Sequence, residues 1–168
     1  SFEAIASYEK ALDLFQKNKL SNYDIIEYCL KPLGNLYTIT GDFTSSENTI
    51  KNYLYLAIKN ANSQQKISAI INLSAVYKSI GKNTEAVTLL EDIYANESLS
   101  AEKKAIVLSL LGENYLVLND YEKSRKAFEK AILLAPNFLA YKNLATVYRK
   151  EKKYSQAEAY IEKAKSNL

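Results

Sequence analysis

The stretch Leu111-Gly112-Glu113-Asn114-Tyr115, followed by Asp120-Tyr121, Ala127-Phe128, Ala131 and Pro136, decides the fold because it returns downstream. It recurs 33 residues on as Leu144-Ala145-Thr146-Val147-Tyr148, then Lys153-Tyr154, Tyr160-Ile161 and Ala164. Upstream, Leu73-Ser74 with Tyr77, Gly81, Ala86 and Leu90 forms another copy, and Leu33-Gly34 with Tyr37, Gly41, Phe43, Ser46 and Ile50 a fourth. The registers align on Tyr37, Tyr77, Tyr115 and Tyr148, in steps of 40, 38 and 33 residues. Self-similarity at this period marks an array of supersecondary units, and the unequal steps place length changes at turns.

Each copy satisfies a helical period twice. On a first helix the small residue Gly34, Ser74, Gly112 or Ala145 lets a second helix approach closely. On that second helix Ser46, Ala86, Ser124 and Ala157 are the small partners, and Ile50, Leu90, Phe128 and Ile161 supply bulk four residues later, on the same face. Composition agrees: 168 residues that are 48% hydrophobic can bury a core, and 4 Gly with 2 Pro leave few helix breaks. The chain reads as all-α.

A Leu-Gly-x-x-Tyr core on one helix, a short turn, then Ala-x-x-x-Phe-x-x-Ala on the next resembles the tetratricopeptide repeat (TPR) family over essentially the whole chain. The resemblance implies a right-handed α–α superhelix of about nine antiparallel helices. It divides one domain, 1–168, into a second helix without its mate (1–17) and repeats at 22–62, 66–97, 100–136 and 137–168. Steps near 40 resemble the longer-helix repeats of kinesin light chain and of Pins-type spindle scaffolds. Tyr53 and Ile93 stand where Ala131 and Ala164 are small, so the early repeats are expected to pack more openly. A lone second helix at one end, an uncapped one at the other and the lack of any Met suggest a fragment of a longer array.

Local signals set helix ends. Thr44-Ser45-Ser46-Glu47 and Ser155-Gln156-Ala157-Glu158 read as capping boxes, and Ser21, Ser100 and Asn137 as N-caps. Pro136 stops a helix, whereas Pro32 falls inside the helix predicted over Asn22 to Thr40 and should kink it.

Chemistry is conspicuous by what is missing. With no His, the usual general base near neutral pH is absent, and neither a catalytic residue nor a metal site is assigned. Glu91 and Asp92 are adjacent and so diverge on a helix. No glycine-rich phosphate cradle or EF-hand spacing occurs, and no cofactor is expected. The 22 basic and 19 acidic side chains nearly cancel, which gives no support to nucleic-acid binding. The uncharged stretches Ile67 to Tyr77 and Ala131 to Tyr141 are about half as long as a membrane span, so no insertion is expected. The single Cys29 reads as a buried apolar residue in a reducing, cytoplasmic setting.

The resemblance implies a concave wall lined by the first helices that takes an extended peptide or a partner's helix. Projecting the register puts Lys31, Asn35, Ile71, Asn72, Lys78, Ile106, Leu110, Glu113, Lys142, Asn143 and Arg149 on it, with four basic residues against one acidic. An acidic partner with hydrophobic anchors fits a groove that is basic at its ends and apolar at Ile71, Ile106 and Leu110. The other reading of these residues is an ordinary polar helix face. Lys31, Asn35 and Asn72 match three positions of the carboxylate clamp of chaperone-binding TPRs, but Ile106 and Leu110 stand where that clamp needs Lys and Arg. The function expected is non-catalytic: a scaffold module that recruits a protein or peptide. Two alternatives stay open, a sensory or autoinhibitory domain fused to a catalytic one, and self-association through the terminal helices.

Overall fold

The computed structural model describes residues 2–20 and 23–167, which form nine α-helices and a π-helical turn. The chain divides into two compact units, Ser1–Gly81 and Lys82–Leu168. The first holds α1 (Phe2–Asn18), the π turn (Ile26–Leu30), α2 (Lys31–Thr40), α3 (Phe43–Lys59) and α4 (Ser63–Ser79). The second holds α5 (Asn83–Asn96), α6 (Ala101–Val117), α7 (Tyr121–Leu134), α8 (Phe138–Lys150) and α9 (Tyr154–Lys165). Within each unit, successive helices pack on one another, and the first helices of neighbouring repeats also touch, α2 on α4 and α6 on α8.

Close approach inside a hairpin depends on the small residues. A Cβ built on Gly112 would lie 2.8 Å from two ring carbons of Phe128, and one on Gly34 would lie 3.0 Å from Ile50 Cγ1. The backbone so exposed is then tied across the hairpin. Ser46 Oγ donates to the Gly34 carbonyl (2.9 Å) and Ser124 Oγ to the Gly112 carbonyl (2.7 Å), both buried. Phe128 is fully enclosed beside Leu144 and Val147 of α8, a burial worth about 1.5–3 kcal/mol for each large apolar side chain. Tyr53 and Ile93, expected to loosen the early repeats, are both 0% exposed, so their bulk fills the space it needs. The Tyr53 hydroxyl is buried there without a hydrogen-bond partner.

Turn geometry repeats as strictly as the core. Four residues after each register tyrosine the backbone is left-handed, at Gly41, Gly81, Asn119 and Lys152, with φ of 81°, 80°, 61° and 61°. Two residues later the second helix begins, at Phe43, Asn83, Tyr121 and Tyr154. This timing overrides the two capping boxes. Thr44 and Ser155 lie inside α3 and α9, and the N-caps are Asp42, whose carboxylate accepts from Ser45 N, and Lys153, which makes no side-chain cap bond. Ser100 and Asn137 cap α6 and α8 as expected, accepting from Lys103 N and Ala140 N. Asn62 and Asp120 do the same for α4 and α7. Ser21 and Asn22 lie outside the described residues.

The helix predicted to run through Pro32 does so, with a π turn set ahead of the proline. Asp24 Oδ1 accepts from the N–H groups of Ile26 and Glu27, both at 3.1 Å, and its carboxylate is held from α4 by Gln65 Nε2 at 3.0 Å. A π turn follows, in which Lys31 N–H reaches back to the Ile26 carbonyl. Pro32 then falls in the first turn of α2, which runs on from the π turn through Leu30 and Lys31, both right-handed helical. Pro136 stands just beyond α7, as its ring demands.

A lysine in a left-handed turn is strained by about 1–2 kcal/mol, and a missing cap costs about 1 kcal/mol more. Replacing Lys152-Lys153 with the Gly-Asp found at Gly41-Asp42 should therefore stabilise the chain by about 2–3 kcal/mol in urea denaturation. No gain would mean that the turn is not under that strain.

Candidate interaction faces on the first helices

Each unit presents its own set of first-helix residues. In Ser1–Gly81, Lys31 sits half-buried at the start of α2 with its ammonium on Glu27 at 3.0 Å, one turn back, and Asn35 is exposed one turn further along. Ile71, Asn72 and Lys78 are half-buried on α4. The Lys31–Glu27 pair is open to solvent, and such pairs exchange partners at a cost of about 0–1 kcal/mol.

In Lys82–Leu168 the predicted residues come together more closely. Ile106, 41% exposed, and half-buried Leu110 line a recess of about 290 Å³ with Ser109, Ala135 and Asn137. One turn along α6, Glu113 accepts a hydrogen bond from Asn143 Nδ2 at 3.3 Å, linking α6 to α8. Lys142 and Arg149 are exposed on α8, and neither makes an ion pair among the described residues. The result is a notch with an apolar wall at Ile106 and Leu110 and one acid, Glu102, in its lining, on a helix that packs against the α8 bearing the exposed Lys142 and Arg149.

A second pattern, at Glu9, Lys51, Glu91 and Glu129, is readable in the sequence. The shared tyrosines do more than fill space, because each hydroxyl or ring meets the same position on the preceding second helix. Tyr37 donates to Glu9, Tyr115 to Glu91, and Tyr148 to Glu129 at 3.1 Å. In the remaining repeat that position is Lys51, whose ammonium lies 5.9 Å from the centre of the Tyr77 ring while bonding Glu47 at 2.6 Å. Each of these four residues stands five places after the small residue of its helix, Ala4, Ser46, Ala86 or Ser124. A Glu recurring at one register was the signal.

Electrostatics follow from this contact. Burial first, and the Glu9 bond second, push Tyr37 up to about 12, and burial with Glu129 does the same for Tyr148. Tyr115 is pushed higher by burial and by Glu91. Hydrogen bonds to Glu47 and then Tyr77 raise Lys51. Arg125 of α7 loses by burial but gains more from Glu129 and Glu151, so it too is raised. These shifts serve the joints between helices. Among the described residues no three His, Cys, Asp or Glu side chains group as a metal site, and no helix is long and apolar enough to cross a membrane.

Because the folded chain holds the phenols neutral, their contribution to stability is complete below about pH 10 and is lost as pH rises toward 12. Urea unfolding from about pH 9 to 12 should fall more steeply for the wild type than for a Tyr37→Phe, Tyr115→Phe, Tyr148→Phe variant. Parallel curves would count against the hydroxyl contacts.

Comparison with known proteins agrees with this geometry. Models of the Tetratricopeptide repeat family match residues 105–138 and 140–167. Protein KINESIN LIGHT CHAIN-RELATED 1 of Arabidopsis thaliana is 27% identical over 136 residues, 77% of this chain and 22% of that protein. KINESIN LIGHT CHAIN-RELATED 2 is 26% identical over 77% of this chain and 20% of its own length. The chain thus spans about a fifth of the curated relatives it matches. Among solved structures, MamA aligns over 98% of this chain and 86% of its own, with a TM-score of 0.74 at 22% identity. The kinesin-light-chain-type, nearly identical TPR-like repeats of Podosopora anserina align over 98% and 84%, with a TM-score of 0.82 at 17% identity. At those identities the likeness speaks for the fold. With its register of small residues and tyrosines, this chain carries tetratricopeptide repeats at 105–138 and 140–167 within an all-α solenoid fold, which supports a protein-interaction scaffold in general terms.

Proposed function

We propose that the chain is a non-catalytic recruitment module whose first-helix faces hold an acidic peptide or helix with hydrophobic anchors. The observation that carries this reading is the recess at Ile106 and Leu110, an exposed apolar notch on a helix face whose neighbour α8 offers the unpaired Lys142 and Arg149. A partner's apolar side chain enters the notch and its carboxylates meet the cations. Asn143, steadied by Glu113, is placed to bond a ligand backbone. On α2 and α4, Lys31, Asn35, Ile71, Asn72 and Lys78 offer the same combination of cation, amide and apolar residue. Cys29 supports a reducing, cytoplasmic setting, since it is buried and its thiol donates to the Tyr8 carbonyl at 3.2 Å, a structural rather than a reactive thiol.

Fluorescence anisotropy with a library of acidic peptides bearing Leu or Phe anchors tests the proposal. The double variants Lys78→Glu, Lys142→Glu and Lys142→Glu, Arg149→Glu should each lose about tenfold or more in affinity, and Ile106→Asn should lose discrimination between anchored and anchorless peptides. Unchanged affinity after charge reversal would sink it.

A further inference from the structure

A different recess lies on the side of Lys82–Leu168 formed with the second helices. It is a cavity of about 280 Å³ between α5, α6 and α7, floored by Leu108, Leu111 and Ala127 and walled by Tyr94 and Tyr115. Its rim carries Lys123, Lys126 and Lys130, one row along α7, opposite Glu91. None of the residues of the first-helix face belongs to it.

The next repeat shows what such a recess accommodates. Between α7, α8 and α9 a recess lined by Glu129, Tyr141, Leu144, Tyr160 and Lys163 occupies the same register. There Tyr160 takes the position that Ala127 holds one repeat earlier. Its ring stacks on Tyr148, centroids 5.3 Å apart and planes 10° apart, and Lys163 Nζ stands 4.8 Å from the ring centre. Tyr115 is the counterpart of Tyr148, and Lys130 that of Lys163. The α5–α7 recess therefore has the stacking partner and the cation, but the small Ala127 side chain, 6% exposed, leaves out the ring between them.

We infer that this recess receives an aromatic side chain from a partner peptide in which acidic residues flank the ring. The ring would lie against Tyr115 under Lys130, as Tyr160 lies against Tyr148 under Lys163. Carboxylates before and after it meet the α7 lysines. Lys126 is paired with Glu122 at 2.6 Å and Lys123 with Asp120 at 3.6 Å, both in solvent, so each can turn to an incoming carboxylate. Lys123 Nζ, now 5.3 Å from the centre of the Tyr115 ring, gives up that contact to the arriving ring. The Glu91 carboxylate keeps its charge while accepting from the Tyr115 hydroxyl, and the three lysines outnumber it in the lining of the recess. This site stands independently of the first-helix faces.

Titrating the isotope-labelled chain with the capped pentapeptide Asp-Glu-Tyr-Asp-Glu, followed by NMR, tests the inference. Expected are saturable shifts at the Ala127 methyl and the Tyr115 ring. Affinity should fall about tenfold or more when the peptide's Tyr becomes Ala, or when Lys126→Glu and Lys130→Glu are combined in the protein. Ala127→Tyr, which copies the Tyr160 arrangement, should occupy the place of the incoming ring on Tyr115 and abolish the Tyr115 ring shifts, and if that variant does not fold the lysine double variant alone decides. Absence of saturation at millimolar peptide, shifts confined to Ile106 and Leu110, or affinity indifferent to the lysines would overturn it. Shifts at Ile106 and Leu110 alone would leave the first-helix proposal standing while this one fails.

Discussion

The contact on which the hairpins depend is the one between a small first-helix residue and a bulky second-helix residue, Gly112 under Phe128 and Gly34 under Ile50. Backbones this near leave a carbonyl that water cannot reach, and the serine hydroxyls of Ser46 and Ser124 answer it from the facing helix. The other two first helices carry Ser74 and Ala145 at this place, both buried. Once the hairpin is drawn in, the register tyrosine is brought against the preceding helix, where a Glu or Lys at a fixed position receives it. The close approach and the tyrosine joint are thus two consequences of one spacing. Interaction surfaces follow from what the joints leave over: outward first-helix residues, and recesses wherever a joint is underfilled.

Much of the fold was legible because the decisive residues are single and periodic. Gly34, Ser74, Gly112 and Ala145 stand out as small residues in a run of large ones, and the tyrosines mark the register by themselves. Helix starts were less legible. The Ser/Thr-x-x-Glu pattern at Thr44 and Ser155 is a local preference, whereas the left-handed residue four places after each tyrosine is fixed by the whole hairpin, and the hairpin wins. At Pro32 the sequence predicts a disturbed helix but not its form. The chain widens into a π turn anchored by Asp24 and Gln65, a contact 41 residues apart in sequence that no local rule foresees.

For the candidate site, the register was enough to name outward residues but not to say what they do there. Lys31, projected onto the ligand-facing wall, pairs with Glu27 one turn back at 3.0 Å. Glu113, the one acid among the projected residues, accepts a hydrogen bond from Asn143. The recess at Ala127 is invisible in a single repeat. It emerges when the second-helix side chains of successive repeats are compared in three dimensions, where an alanine in one and a tyrosine in the next stand against the same first-helix tyrosine and only the tyrosine supplies a stacked ring.

A double-mutant cycle on Gly112 and Phe128 measures the central contact most directly. If close approach governs the hairpin, Gly112→Ala destabilises the chain by about 1–3 kcal/mol in urea unfolding, and much of that loss disappears in a Phe128→Leu background, where the added methyl meets a smaller side chain. A neutral Gly112→Ala, or losses that simply add in the double variant, would contradict the account.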